Sequence, residues 1–148
     1  MTEEEIDSII KGLKPYSKNT LLVEMLINGI GEIEIEVETD NTVNPELLES
    51  ILGYVIKNLE TIKENANELL NAMATIKGFK MPNNHCQIEF RLIGISIDNN
   101  QRIHNQFKLI FDYNNELEHI NEDTLGYRTI NFSGSQNYYY ISGISWKY

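Results

Sequence analysis

At 148 residues and 17.1 kDa the chain has the size of one domain, 1–148, large enough to bury roughly two thirds of its unfolded surface in a single core. Hydrophobic residues make up 41% and charged residues 23%, and no apolar run approaches the roughly 20 residues that span a bilayer, so the expectation is a soluble protein. Twenty-two acidic against 12 basic side chains leave a formal charge of −10, a field that repels phosphate backbones and anionic lipid heads and favours encounter with basic partners. Nucleic acid and membranes are therefore disfavoured as partners.

The first residues, Met1-Thr2-Glu3-Glu4-Glu5, are acidic where a secretory signal is basic and then apolar. The lone Cys86 has no partner in the chain for a disulfide or a zinc site. Both features predict a cytoplasmic location. Ile6, Ile9, Ile10 and Leu13 recur at helical spacing behind the three glutamates, which predicts a short N-terminal helix closed by Gly12 and Lys14-Pro15.

A dense apolar run, Thr20 to Ile27, is followed by Asn28-Gly29 and then by the alternation of Ile33, Ile35 and Val37 with Glu32, Glu34, Glu36 and Glu38. Two runs flanking Asn-Gly predict a hairpin whose second strand turns its aliphatic side chains to a core and its glutamates to water.

Asn44-Pro45-Glu46 is a helix start: an N-cap, a proline at the first helical position and an acid near the positive dipole end. From there Leu48, Ile51, Val55, Leu59, Ile62, Ala66, Leu69, Met73 and Ile76 mark one face of a single long amphipathic helix reaching about Lys77, with Gly78 as its stop. Gly53 and the stretch Asn65 to Asn67 are the expected points of a bend or break. Beyond it, Gln87–Ile97, Gln106–Tyr113, Tyr127–Phe132 and Tyr138–Trp146 read as strands separated by turn-rich segments. The predicted architecture is α+β: an antiparallel sheet of about six strands, an N-terminal hairpin plus a C-terminal meander, with the long helix on one face.

Catalytic signals are absent: GxSxG, GxxxxGK[ST], GxGxxG, HExxH and CxxC do not occur. His85, His104 and His119 show no metal-ligand spacing, and adjacent His85 and Cys86 in an extended segment would point to opposite faces. The run Asp112 to Asp123 resembles a calcium loop only loosely, because Leu117 stands where the turn glycine belongs and Asp123 where a bidentate glutamate belongs. No catalytic residue, metal or cofactor is assigned.

Two sets of residues suit recognition. Glu32, Glu34, Glu36 and Glu38 make a ladder of like charge about 7 Å apart, and Glu116, Glu118, Glu122 and Asp123 make a second acidic patch. Tyr138, Tyr140 and Trp146 are of the amphipathic aromatic type enriched at interfaces.

The acidic strand pair, the Asn/Lys/Glu-rich helix from Pro45 to Lys77, and the strands LIGISIDNN and FKLIFDY followed by Glu116-Leu117-Glu118-His119 resemble small bacterial domains associated with polymorphic toxin systems, several of them immunity proteins. The resemblance is textural and implies a non-enzymatic protein that neutralises a cognate toxin. The reading of the sequence is thus a small acidic cytoplasmic binding protein, an immunity-type inhibitor of a basic partner. The alternative is a small-molecule-binding or enzymatic domain with a cleft between helix and sheet, lined by residues such as Tyr54, Phe90 and Phe111. A third reading pairs two chains through the helix stripe as a homodimer.

Overall fold

The computed structural model describes residues 3–27, 31–39, 43–76, 90–100, 105–113, 127–135 and 138–147. In chain order these form α1 (Glu3–Gly12), β1 (Lys14–Ser17), β2 (Thr20–Ile27), β3 (Gly31–Glu38), α2 (Pro45–Lys57), α3 (Leu59–Ile76), β4 (Phe90–Asp98), β5 (Asn105–Tyr113), β6 (Tyr127–Ser135) and β7 (Tyr138–Lys147). The fold is α+β, with one seven-stranded sheet in sequence order and three helices.

The sheet differs from expectation in strand number and in one pairing. The additional strand, β1, is made possible by Asn19, which takes φ 68° in the turn between β1 and β2, a left-handed conformation that asparagine tolerates. Every neighbouring pair is antiparallel except β3 and β4, which run parallel in the register Glu34↔Gly94 to Glu38↔Asp98. A parallel pair needs a long crossover, and α2 with α3 supplies it. Asn99 ties the crossover down. Its backbone N–H donates to Glu38 O, its side-chain amide donates to Thr39 Oγ1, and its side-chain oxygen accepts from Asn44 N at the start of α2.

The expected single helix is two. Asn44 caps α2, its side chain accepting from the Glu46 and Leu47 amides at 3.0 and 3.4 Å. At the other end, Asn58 donates both its backbone N–H and its side-chain Nδ2 to Tyr54 O, so the side chain competes with the helical ladder for the same carbonyl. Asn58 O then accepts from Ile62 N and starts α3. The break thus sits at Asn58, away from Gly53 and from Asn65 to Asn67, all of which lie inside helices.

The stripe is buried on the sheet at Leu48, Ile51, Val55, Leu59, Ile62 and Ala66, and then continues through Leu70 and Ala74. Leu69 and Met73 are half-buried, and Ile76 is 80% exposed. Asn67 accounts for this choice of face: its oxygen accepts from Phe90 N at 2.9 Å and its amide donates to Phe90 O at 3.4 Å, orienting α3 on the start of β4. From Leu48 to Ala66 the stripe is taken up by the core of the chain itself.

Ile33, Ile35 and Val37 of β3, Phe90, Leu92, Ile95 and Ile97 of β4, Phe107, Leu109 and Phe111 of β5, and Ile130 and Phe132 of β6 join the helices in one buried cluster. The alternation expected for β3 holds: its aliphatic residues are buried, Glu32, Glu34 and Glu38 are exposed, and Glu36 is half-buried. Among the described residues no helix is long and apolar enough to cross a membrane.

Candidate interaction surface

All three helices pack on the aliphatic face of the sheet, and among the described residues nothing lies over the other face. Strand registers assemble that face into rows. One row runs Glu38, Asp98, Gln106, Ser133, Tyr140; the next runs Leu22, Glu36, Ser96, Lys108, Asn131, Gly143; the third runs Glu24, Glu34, Gly94, Ile110, Thr129, Ser145. Each begins with carboxylates or apolar groups on β2 and β3 and ends among small polar groups and tyrosine on β6 and β7.

The acidic end is built against its own electrostatics. Glu24 stands directly opposite Glu34, a like-charge cross-strand pair that destabilises a sheet. Glu32 follows on the same face, and Glu24, Glu32 and Glu34 border a shallow concavity of about 380 Å³ with Ile33 and Ile93. Burial, and then the Glu38 and Glu34 carboxylates, push the Glu36 carboxyl above its ordinary range, with Lys108 pulling in the opposite direction. Lys108 is two strands away, in the same row.

At the other end of the sheet Tyr138 and Tyr140 project to solvent, 75% and 50% exposed. Trp146 belongs to a different environment. It is 8% exposed, its ring meets Phe90 edge-on with centroids 5.9 Å apart, and the buried Arg128 guanidinium lies 5.5 Å from its centroid. Strand alternation puts Trp146 on the helix-covered face with Arg128, while Tyr138 and Tyr140 share the open one. Arg128 also approaches Asp112 at 3.6 Å, and Asp112 lies 3.7 Å from the exposed Arg91. Glu116, Glu118, Glu122, Asp123 and the three histidines and Cys86 lie outside the described residues.

The residues named for the alternative reading, a cleft between helix and sheet, are packed among other aromatics. Phe90 and Phe111 are 4% and 1% exposed. Tyr54 meets Phe107, Phe132 and Tyr139, with centroid distances of 6.4, 6.5 and 4.9 Å. Its hydroxyl donates to Tyr139 O at 3.4 Å, and burial, then the nearby Tyr138 phenol, push it above the ordinary phenol range, so it remains a donor. A groove of about 550 Å³ does border Tyr54, but along the side of α2 with Glu46, Glu49, Ser50, Gly53, Lys57 and Asn58. Its lining mixes acidic, basic and neutral groups from one side of α2. Among the described residues no three His, Cys, Asp or Glu side chains converge as metal ligands would.

Periodicity alone locates the glutamate ladder. Asp98 and Glu24 extend it, but their place on that face depends on the parallel β3–β4 pairing and on the β2–β3 register, neither of which is a local property. No protein-family model, curated protein or solved structure matches the chain.

Proposed function

We propose that the chain is a small acidic binding protein of the cytoplasm that receives a basic partner protein on the open face of its sheet, acting as an immunity-type inhibitor. The observation that carries this reading is the carboxylate cluster of Glu24, Glu32, Glu34, Glu36, Glu38 and Asp98 on a sheet face that no helix among the described residues covers, where strand pairing puts like charges side by side. Such an arrangement costs stability in the free protein and is relieved when cationic side chains arrive opposite it. The textural resemblance to toxin-associated domains points the same way.

A pull-down from the source cell, followed by association rates across a salt series, tests it. The expected partner is basic, its association rate falls as salt rises, and Glu34→Lys with Glu36→Lys lowers that rate while the fold persists. An acidic partner, or rates indifferent to both salt and charge reversal, overturns the reading. Capture of a metabolite instead of a protein directs attention to the groove beside Tyr54.

A further inference from the structure

We propose that the outer edge of β7 is a self-association site at which a second copy of this chain adds its own β7 antiparallel, extending the seven-stranded sheet across a two-fold axis. This rests on the two ends of the sheet and is independent of the partner proposed for the acidic face.

The edges are built differently. β1 has only four residues, and it is interrupted by Pro15, which has no N–H to offer, and by an irregularity between Pro15 and Ser17. Short length, proline and flanking lysines, here Lys14 and Lys18, are the means by which sheets block further pairing. β7 has ten residues and no proline, and among the described residues no strand pairs with its outer side. Its first four residues include Tyr138, Tyr140 and Ile141, which are 75%, 50% and 39% exposed. The extra residue at Ser142, opposite the Asn131–Phe132 step, limits the regular stretch to that aromatic segment on one side and Gly143–Lys147 on the other.

Charge selects the occupant. All 22 acidic side chains precede Tyr127; residues 127 to 148 carry only Arg128 and Lys147. β7 itself offers a basic partner no carboxylate, and it is paired to β6, which also has none, so a second copy presenting its own β7 meets a strand without opposing carboxylates. Strands are spaced about 4.8 Å apart, so the β3 ladders of two copies joined at β7 stand on the order of 40 Å apart, far beyond a Debye length of about 8 Å. Pairing through β1 would bring the same ladders to roughly 25 Å, with the shorter β2 glutamate separation closer still. A two-fold axis normal to the sheet leaves both open faces on one side, so self-association and capture of a basic partner are compatible.

Sedimentation of the full chain over a concentration series tests the proposal. The expected result is a species of twice the 17.1 kDa chain mass that dissociates on dilution. Tyr140→Lys and Ile141→Lys should each raise its dissociation constant by about tenfold or more, since lysine on an edge strand opposes pairing. Tyr16→Lys on β1 should leave it unchanged. Hydrogen exchange on the unmodified chain should show concentration-dependent protection confined to the β7 amides, which keeps the proposal testable if a variant fails to fold. A chain monomeric at millimolar concentration, protection elsewhere than β7, or a dimer that both β7 lysines leave intact overturns it. Partner capture by the same variants is read separately, so the failure of either proposal is distinguishable from that of the other.

Discussion

The two halves of the sheet obey the same backbone rules and carry opposite surfaces. β2 and β3 bear five glutamates and neither lysine nor arginine, over a core of Ile33, Ile35 and Val37 joined by Ile6 and Ile9 of α1. β6 and β7 bear no carboxylate and lie over aromatics: Phe107 and Phe132 stack at 4.9 Å, and Tyr54 and Tyr139 pack edge-on around them. Strand pairing and burial constrain only the covered face. The acids on β3 could be exchanged for threonine or serine without loss to the core, so the charge asymmetry is not something the fold requires.

The sharpest break in the comparison comes from placing a charge on each side of one strand. Ile35→Asp buries an unpaired carboxylate at a position with 0% exposure and is expected to unfold the chain, whereas Glu34→Lys is expected to change stability by under about 0.5 kcal/mol or to improve it by relieving Glu24. Circular dichroism and denaturant melts check both. Equal losses from the two would overturn the face assignment.

Under the neutral half the next largest effect is expected. Phe132→Ala removes one member of the ring stack and should cost about 3 to 5 kcal/mol, because the rigid neighbours Phe107, Tyr54 and Tyr139 cannot close the cavity. Glu36→Ala, on the open face of the acidic half, should cost under about 1 kcal/mol in the same melts.

A third pair sharpens the account of the helix layer that spans both halves. Leu70→Ala should cost about 2 to 5 kcal/mol and Leu69→Ala under about 1 kcal/mol, since Leu70 is fully buried and Leu69 only half-buried. The reverse order in urea melts would show that α3 sits with its other face on the sheet.

That pair also marks where local pattern stops being informative. From Ala66 the next stripe position could be Leu69 or Leu70, both at helical spacing, and the choice is made by Asn67 gripping the backbone of Phe90, a contact 23 residues away. The α+β class, the β2 and β3 strands, the Asn44 cap and the buried stripe as far as Ala66 could be read directly, because capping and alternation are local. Three features could not. The stop at Asn58 depends on its side chain taking Tyr54 O, β1 depends on a left-handed Asn19, and the parallel β3–β4 pair depends on a crossover whose docking is tertiary. For the surface, the β3 ladder followed from period two, but which aromatics remain exposed depended on the register of β6 with β7, which sends Trp146 inward and Tyr140 outward.

The smallest expected effect concerns the titration of the acidic half. The Glu36 carboxyl is raised above its ordinary value of 4.5, first by burial and then by Glu38 and Glu34, so the folded chain holds that proton to higher pH than the unfolded chain does. Stability therefore falls as pH rises from about 4.5 through the folded-state titration, because in that window the folded state binds more protons. Glu36→Gln removes the ionisation and should flatten this part of the stability–pH curve, with a modest gain at neutral pH and little change in acid. The same substitution also removes one charge from the face proposed to meet a basic partner, so it should slow association slightly at low salt while making the free protein more stable. Thermal melts from pH 4 to 8, with and without the substitution, read the first effect. A curve equally steep in both proteins, or a neutral-pH loss of stability in the variant, would show that the carboxylates of β3 do not strain one another and would remove the argument that this half of the sheet is kept acidic at a cost.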